Sequence, residues 1–176
     1  MRRLDRMPKG FLALAVVLCA CATVTHSRSP TLQTSDSVAI LPIVNYTETP
    51  LAGLRAEAIA ESLMLASRFV TVRRYPSALN PETLFAPVER DAVARALDWA
   101  QEEGLAYALT GSVEEWRYRV GTEGSPVVGL TLRLIEVQSG AVVWTATGSR
   151  TGWGRAALAG VAQKLLRELL APLRPR

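Results

Sequence analysis

The sequence predicts a single mixed α/β sandwich in the order βαβα, followed by an antiparallel three-strand meander and a C-terminal helix. Three observations carry this expectation. Two short apolar runs are each followed by a segment of helical periodicity, three later segments alternate apolar and polar residues between Gly, Ser and Pro turns, and the C-terminal segment repeats leucines at helical spacing. The domain spans about 38–172 and shows no internal repeat.

Val38-Ala39-Ile40-Leu41 is a continuous apolar run closed by Pro42, as expected of a buried strand that ends where a proline cannot continue the ladder. Thr49-Pro50 then opens a helix, with Thr49 as N-cap and Pro50 at the first helical position. Leu51, Leu54, Ala58, Ile59, Ser62, Leu63 and Ala66 fall on one face of it. Phe69 to Val72 is a second short strand. A proline-rich stretch from Pro76 through Pro81 to Pro87 leads into a helix over about 88–103, with Val93, Ala96, Leu97 and Ala100 inward and Gly104 ending it. This order implies parallel strands joined by right-handed crossovers.

Segments 107–120, 127–137 and 141–150 form the meander. Val128, Leu130, Leu132 and Leu134 lie on one side of the middle strand, with Thr131 and Arg133 on the other. The last helix, about 155–171, places Leu158, Val161, Ala162, Leu165, Leu166 and Leu169 on one stripe, opposite Gln163, Lys164, Arg167 and Glu168. Mixed charge on that outer face favours packing on the sheet over lying on lipid.

Ahead of the domain, Arg2, Arg3, Arg6 and Lys9 precede an apolar stretch from Phe11 to Leu18, the pattern of an export signal too short to span a bilayer. Leu18-Cys19-Ala20-Cys21 resembles a bacterial lipoprotein box, so residues 1–20 are expected to be removed and Cys21 to be lipidated. Several acyl chains on one cysteine anchor stably where a single chain does not. Ala22 follows the cysteine. By resemblance to sorted lipoproteins, the lack of Asp there points to the outer membrane. Residues 21–37 read as the lipidated cysteine and a flexible tether, polar and small, able to reach at most roughly 50 Å.

Removing the signal changes the charge. The whole chain carries a formal +4, but four of its 20 basic residues and one of its 16 acidic ones precede Cys21, which leaves the mature chain close to neutral. No sustained basic stripe remains for nucleic acid. Both cysteines lie in the signal and lipid box and the one histidine, His26, in the tether, so the domain has neither thiol nor imidazole. Serine- or cysteine-hydrolase machinery and cysteine metal sites are therefore excluded there, and no cofactor is expected.

The remaining candidates are carboxylates and aromatics. Glu114 and Glu115 are adjacent on a strand and are expected on opposite faces, unable to flank one glycosidic bond. Asp98, Glu102 and Glu103 lie on a helix, where a solvated face is the plain explanation. Gly152-Trp153-Gly154 lacks the spacing and lysine of a phosphate loop. Trp153 there can either project into a membrane interface or fold back beside the last helix. Trp116 and Tyr118, on one side of a strand, suit either a sugar-stacking shelf or cross-strand packing.

The opening strand VAILPI is similar to that of periplasmic domains in the curli secretion lipoprotein and the Tol translocation protein. More specifically, LPIVNYTETPLAGLRAEAIA from Leu41, ALTGSVEEWRYRVG from Ala108 and SGAVVWTATGSRTGW from Ser139 resemble the PelC family, lipoproteins of Pel exopolysaccharide export systems. That resemblance implies a non-enzymatic lipoprotein on the periplasmic leaflet of the outer membrane. It also implies a homo-oligomeric ring of twelve beside a β-barrel channel, PelB, with an electronegative funnel that guides a cationic amino-sugar polymer. Asp98, Glu102, Glu103, Glu114 and Glu115 are then the candidate funnel acids, and Trp153 the candidate membrane contact. The alternative is a regulatory lipoprotein that activates a cell-wall synthase, which needs a longer tether than this one. A glycoside hydrolase would require a pair of carboxylates across one bond.

Overall fold

Ser37–Asn45 (β2) is apolar on both sides because both of its faces are covered: Val38, Ile40 and Ile43 enter a large core on one face, Ala39 and Leu41 a smaller one on the other. The computed structural model describes residues 22–69, 71–79, 90–119, 124–154 and 156–175. The expected signal 1–20, Cys21, and the segment holding Pro81 and Pro87 lie outside them.

Around β2 the elements in chain order are β1 (Ala22–His26), α1 (Ala52–Ala66), β3 (Thr71–Arg74), α2 (Arg90–Glu102), β4 (Tyr107–Tyr118), β5 (Pro126–Glu136), β6 (Ala141–Thr151) and α3 (Leu158–Leu170). They build one six-stranded mixed sheet in the order β1-β6-β5-β4-β2-β3. β2 pairs parallel with β3 and β4, and β4, β5, β6 and β1 are antiparallel. The βαβα unit, meander and C-terminal helix are those the sequence predicts.

α1 and α3 cover one face, over Leu109, Val113, Trp116, Leu130, Leu132 and Trp144. α2 covers only the β2–β4 side of the other, through Ala96 and Ala100 against Ala39, Leu41 and Ala108. It ends as expected at Gly104, which has φ 66, with Leu105 N–H donating to Ala100 O and Gly104 N–H to Gln101 O.

Four local expectations are corrected. Pro42 does not end its strand: the ladder shifts register between Ile40 and Ile43, and the buried Glu57 carboxylate accepts the Ile43 N–H at 3.0 Å while Pro42 O accepts the Thr110 hydroxyl at 2.7 Å. Thr49 does not cap α1. Its hydroxyl instead donates to Trp116 O on β4, Asn45 Nδ2–H ties down Thr49 O at 2.8 Å, and the helix starts after Leu51 at φ 60. The buried stripe of α1 is not the leucine-bearing one but Ala52, Ala56, Ala60 and Met64, since small side chains let the helix approach the sheet.

The fourth correction concerns residues 22–37, expected as a flexible tether. Ala22–His26 is instead a strand, and Leu32 is buried in the core. The consecutive β-branched residues Thr23, Val24 and Thr25 of ATVTH suit a strand that pairs with the open edge of β6, an interaction that polarity alone conceals.

Candidate functional site

Beyond α2, no described residue covers the sheet face formed by β4, β5, β6 and β1, and the side chains named below on it are polar. Alternation along β5 and β6 places Thr131, Arg133 and Thr147 there, opposite the leucines of the core. Thr131 and Thr147 are joined hydroxyl to hydroxyl at 3.0 Å. At β1 the face continues through Thr23 and Thr25.

Glu114 and Glu115 both stand on this face, contrary to the opposite-face expectation. The β4–β5 register shifts between Val113 and Glu115, so two residues oppose one, and both Cβ atoms lie over Gly129, where an added Cβ would meet them at 3.6 and 3.4 Å. Glu114 accepts the Ser112 hydroxyl at 2.6 Å, and Glu115 pairs with Arg117 at 3.0 Å. Strand alternation alone cannot foresee a bulge.

A groove of about 690 Å³ runs between this face and the N-terminal part of α2, lined by Tyr46, Ser112, Glu114, Thr131 and Arg133. A shallower one of about 270 Å³ continues past Glu115 to Thr23 and Thr147. Tyr46 is 62 % exposed. An aromatic ring, hydroxyls, two carboxylates and a guanidinium side by side can stack on a sugar ring and hydrogen-bond its substituents. Tyr46 escaped the sequence reading, since nothing in NYTET marks it; Thr131 and Arg133 were legible from alternation.

The other three candidate acids are elsewhere. Asp98 and Glu102 sit exposed on the outer side of α2, and Glu103 is ion-paired with Arg73, whose guanidinium lies 5.7 Å from the Trp99 ring centre. The sugar-stacking shelf is corrected too. Trp116 is 2 % exposed, because the same bulge turns it into the core beneath α1 and α3. Its companion Tyr118 is half exposed and its hydroxyl accepts the Leu158 N–H at 3.2 Å, satisfying a free amide at the start of α3.

Trp153 projects: it is 86 % exposed, the most exposed large apolar side chain described. The turn that presents it requires its flanking glycines. A Cβ on Gly152 would lie 2.6 Å from Val161 Cγ2 and 2.7 Å from Pro126 Cγ, and Gly154 takes φ 52. Gly152 N–H donates to Pro126 O at 2.7 Å and Ala156 N–H to Trp153 O at 3.2 Å, closing the turn. At this same end of the sheet Ala22, the residue after Cys21, pairs with Arg150. No helix among the described residues is long and apolar enough to cross a membrane.

No family model matches the chain, and no curated protein does. Among solved structures it is similar to the PelC dodecamer from Paraburkholderia phytofirmans, at 44% sequence identity and a TM-score of 0.77, over 89% of this chain and 99% of that one. A lipoprotein from Neisseria meningitidis, GNA1162, shares the fold at 15% identity and a TM-score of 0.54, over 78% of this chain and 97% of that one.

Proposed function

The chain belongs to the PelC family, and from that premise we propose that it is a non-enzymatic, lipid-anchored protein of the periplasmic side of the outer membrane, whose copies form a ring of twelve that guides Pel exopolysaccharide to its export channel. The observation that carries this reading is the meeting of Trp153 with the entry point of the N-terminal strand at one end of the sheet. Cys21, acylated, would enter the leaflet directly beside the tryptophan, and two contacts fix a protein's tilt where one leaves it free.

With that end on lipid, the strands run along the membrane normal and the polar face of β4, β5, β6 and β1 follows the direction of travel. Glu114 and Glu115 attract the ammonium groups of a partly deacetylated amino-sugar polymer, and the threonines exchange hydrogen bonds with sugar hydroxyls as it slides. Binding there is weak and repeated, as passage requires. A PelB-like β-barrel in the outer membrane receives the chain.

Activation of a cell-wall synthase fits less well. That role needs reach, and with Ala22–His26 paired to β6 the acylated cysteine has no free tether before the domain begins.

The reading is tested in a deletion strain complemented with variants, by measuring secreted amino-sugar polymer. Trp153→Ala, Cys21→Ser and the pair Glu114→Gln with Glu115→Gln should each lower secretion at unchanged protein level. Normal secretion with no copy of the chain, or with all three changes combined, would refute it.

A further inference from the structure

Arg133 is out of place on a face that attracts ammonium groups. It lines the groove of about 690 Å³ and is exposed, and no carboxylate among the described residues pairs with it. A guanidinium repels ammonium, yet it offers N–H donors that a neutral carbonyl oxygen can accept.

The groove has two poles. Arg133 pairs in register with Thr110, and Glu114 stands over Gly129. Four residues of β5 separate Arg133 from Gly129, about 13 Å of strand, so the two charges meet different sugars of one bound chain. Glu114 gives one carboxylate oxygen to the Ser112 hydroxyl at 2.6 Å, and its other oxygen has no partner among the described residues.

Apolar surface lies beside the poles. Val44, which pairs with Ser112 between them, and Val93 of α2 give the groove a half-buried apolar wall. Tyr46 N–H donates to Val113 O at 3.0 Å, and Thr47 N–H to Asn45 Oδ1 at 3.0 Å, so the exposed ring of Tyr46 is carried on a fixed backbone. The volume suits a short oligosaccharide segment.

We propose that this groove reads the acetylation pattern of the polymer. Arg133 donates to the acetamido carbonyl of an N-acetylated sugar whose methyl lies against Val44 and Val93, Glu114 takes the ammonium of a deacetylated sugar further along, and Tyr46 stacks on a sugar ring. This rests on the export reading and adds that the acetyl groups left on the polymer are bound, not merely tolerated. A fully deacetylated chain sets an ammonium against Arg133, and a fully acetylated one leaves Glu114 without a cation. A chain that carries both groups is held at both poles.

The test is isothermal titration calorimetry of the full lipidated chain in detergent with β-1,4-linked glucosamine tetramers. Four are compared: fully acetylated, fully deacetylated, and two half-acetylated forms with both acetyl groups at one end or at the other. The tighter half-acetylated tetramer should bind roughly tenfold better than either uniform one, the effect of one charge-assisted hydrogen bond. Arg133→Thr should erase its advantage over the fully deacetylated tetramer only, and Glu114→Gln its advantage over the fully acetylated one only. Tyr46→Ala should weaken all four about tenfold, and Tyr46→Phe should not. Equal affinity for the four, no binding of any, or an equal loss for all four in both Arg133→Thr and Glu114→Gln would overturn the groove reading and leave the export reading in place. Normal secretion by the deletion strain would overturn the export reading, and this one with it.

Discussion

Ala22 pairs with Arg150 in the antiparallel β1–β6 ladder, three residues ahead of the exposed Trp153. The first described strand and the most exposed aromatic among the described residues therefore share one end of one sheet. Arg150 is held in turn by Glu168 of α3, so the ladder, the tryptophan turn and the last helix form one connected corner.

Trp153 should act on lipid and not on stability. In the unlipidated Cys21→Ser protein, Trp153→Ala should reduce partition onto phosphatidylethanolamine–phosphatidylglycerol vesicles about tenfold or more, the effect of leaving about 1.5–3 kcal/mol of apolar burial unused. Thermal unfolding should shift by no more than about 0.5 kcal/mol. Equal vesicle binding by both proteins would remove Trp153 from the membrane surface.

Release of β1 should loosen the anchor while sparing the domain. A Cβ on Gly148 would sit 2.7 Å from Thr23 O and 3.1 Å from Val24 Cγ2, so Gly148→Val forces β1 off the edge of β6. Limited proteolysis should then cut within 22–36 while the rest resists. Protection identical to the parent's would mean that the edge tolerates the change.

Gly111 sits where β4 and β5 approach too closely for a side chain. Its Cβ would lie 2.0 Å from Thr131 O, a backbone atom that cannot swing aside. Gly111→Ala should destabilise by about 3 kcal/mol. Denaturant unfolding measures it; a cost under about 1 kcal/mol would mean the strands part easily.

Glu57 should matter as an acceptor. Its Oε1 takes the Ile43 N–H left over by the Pro42 bulge, in a site 1 % exposed. Glu57→Leu should cost about 1–3 kcal/mol by stranding that amide, and Glu57→Gln, which keeps an oxygen, should cost less. Equal unfolding midpoints for the two variants would contradict that role.

The meander and α3 were legible nearly to the residue, because a period of two or of 3.6 over ten residues is a strong local signal. α1 was legible as a helix but not in its orientation. Its leucines mark one face and its alanines another, and only the sheet decides which comes closest. β1 was missed because its polar residues earn no burial, only hydrogen bonds to a partner more than a hundred residues away.

By itself the sequence determined the order of strands and helices from β2 onward and the lack of thiol and imidazole beyond residue 37; His26, read there as tether, is the last residue of β1. These are local or compositional properties. Only the tertiary structure decided that Glu114 and Glu115 share a face, and that Trp116 is core while Trp153 is bare. Each depends on a bulge, a register or a packing distance set between segments far apart in the chain, to which hydrophobic periodicity is blind.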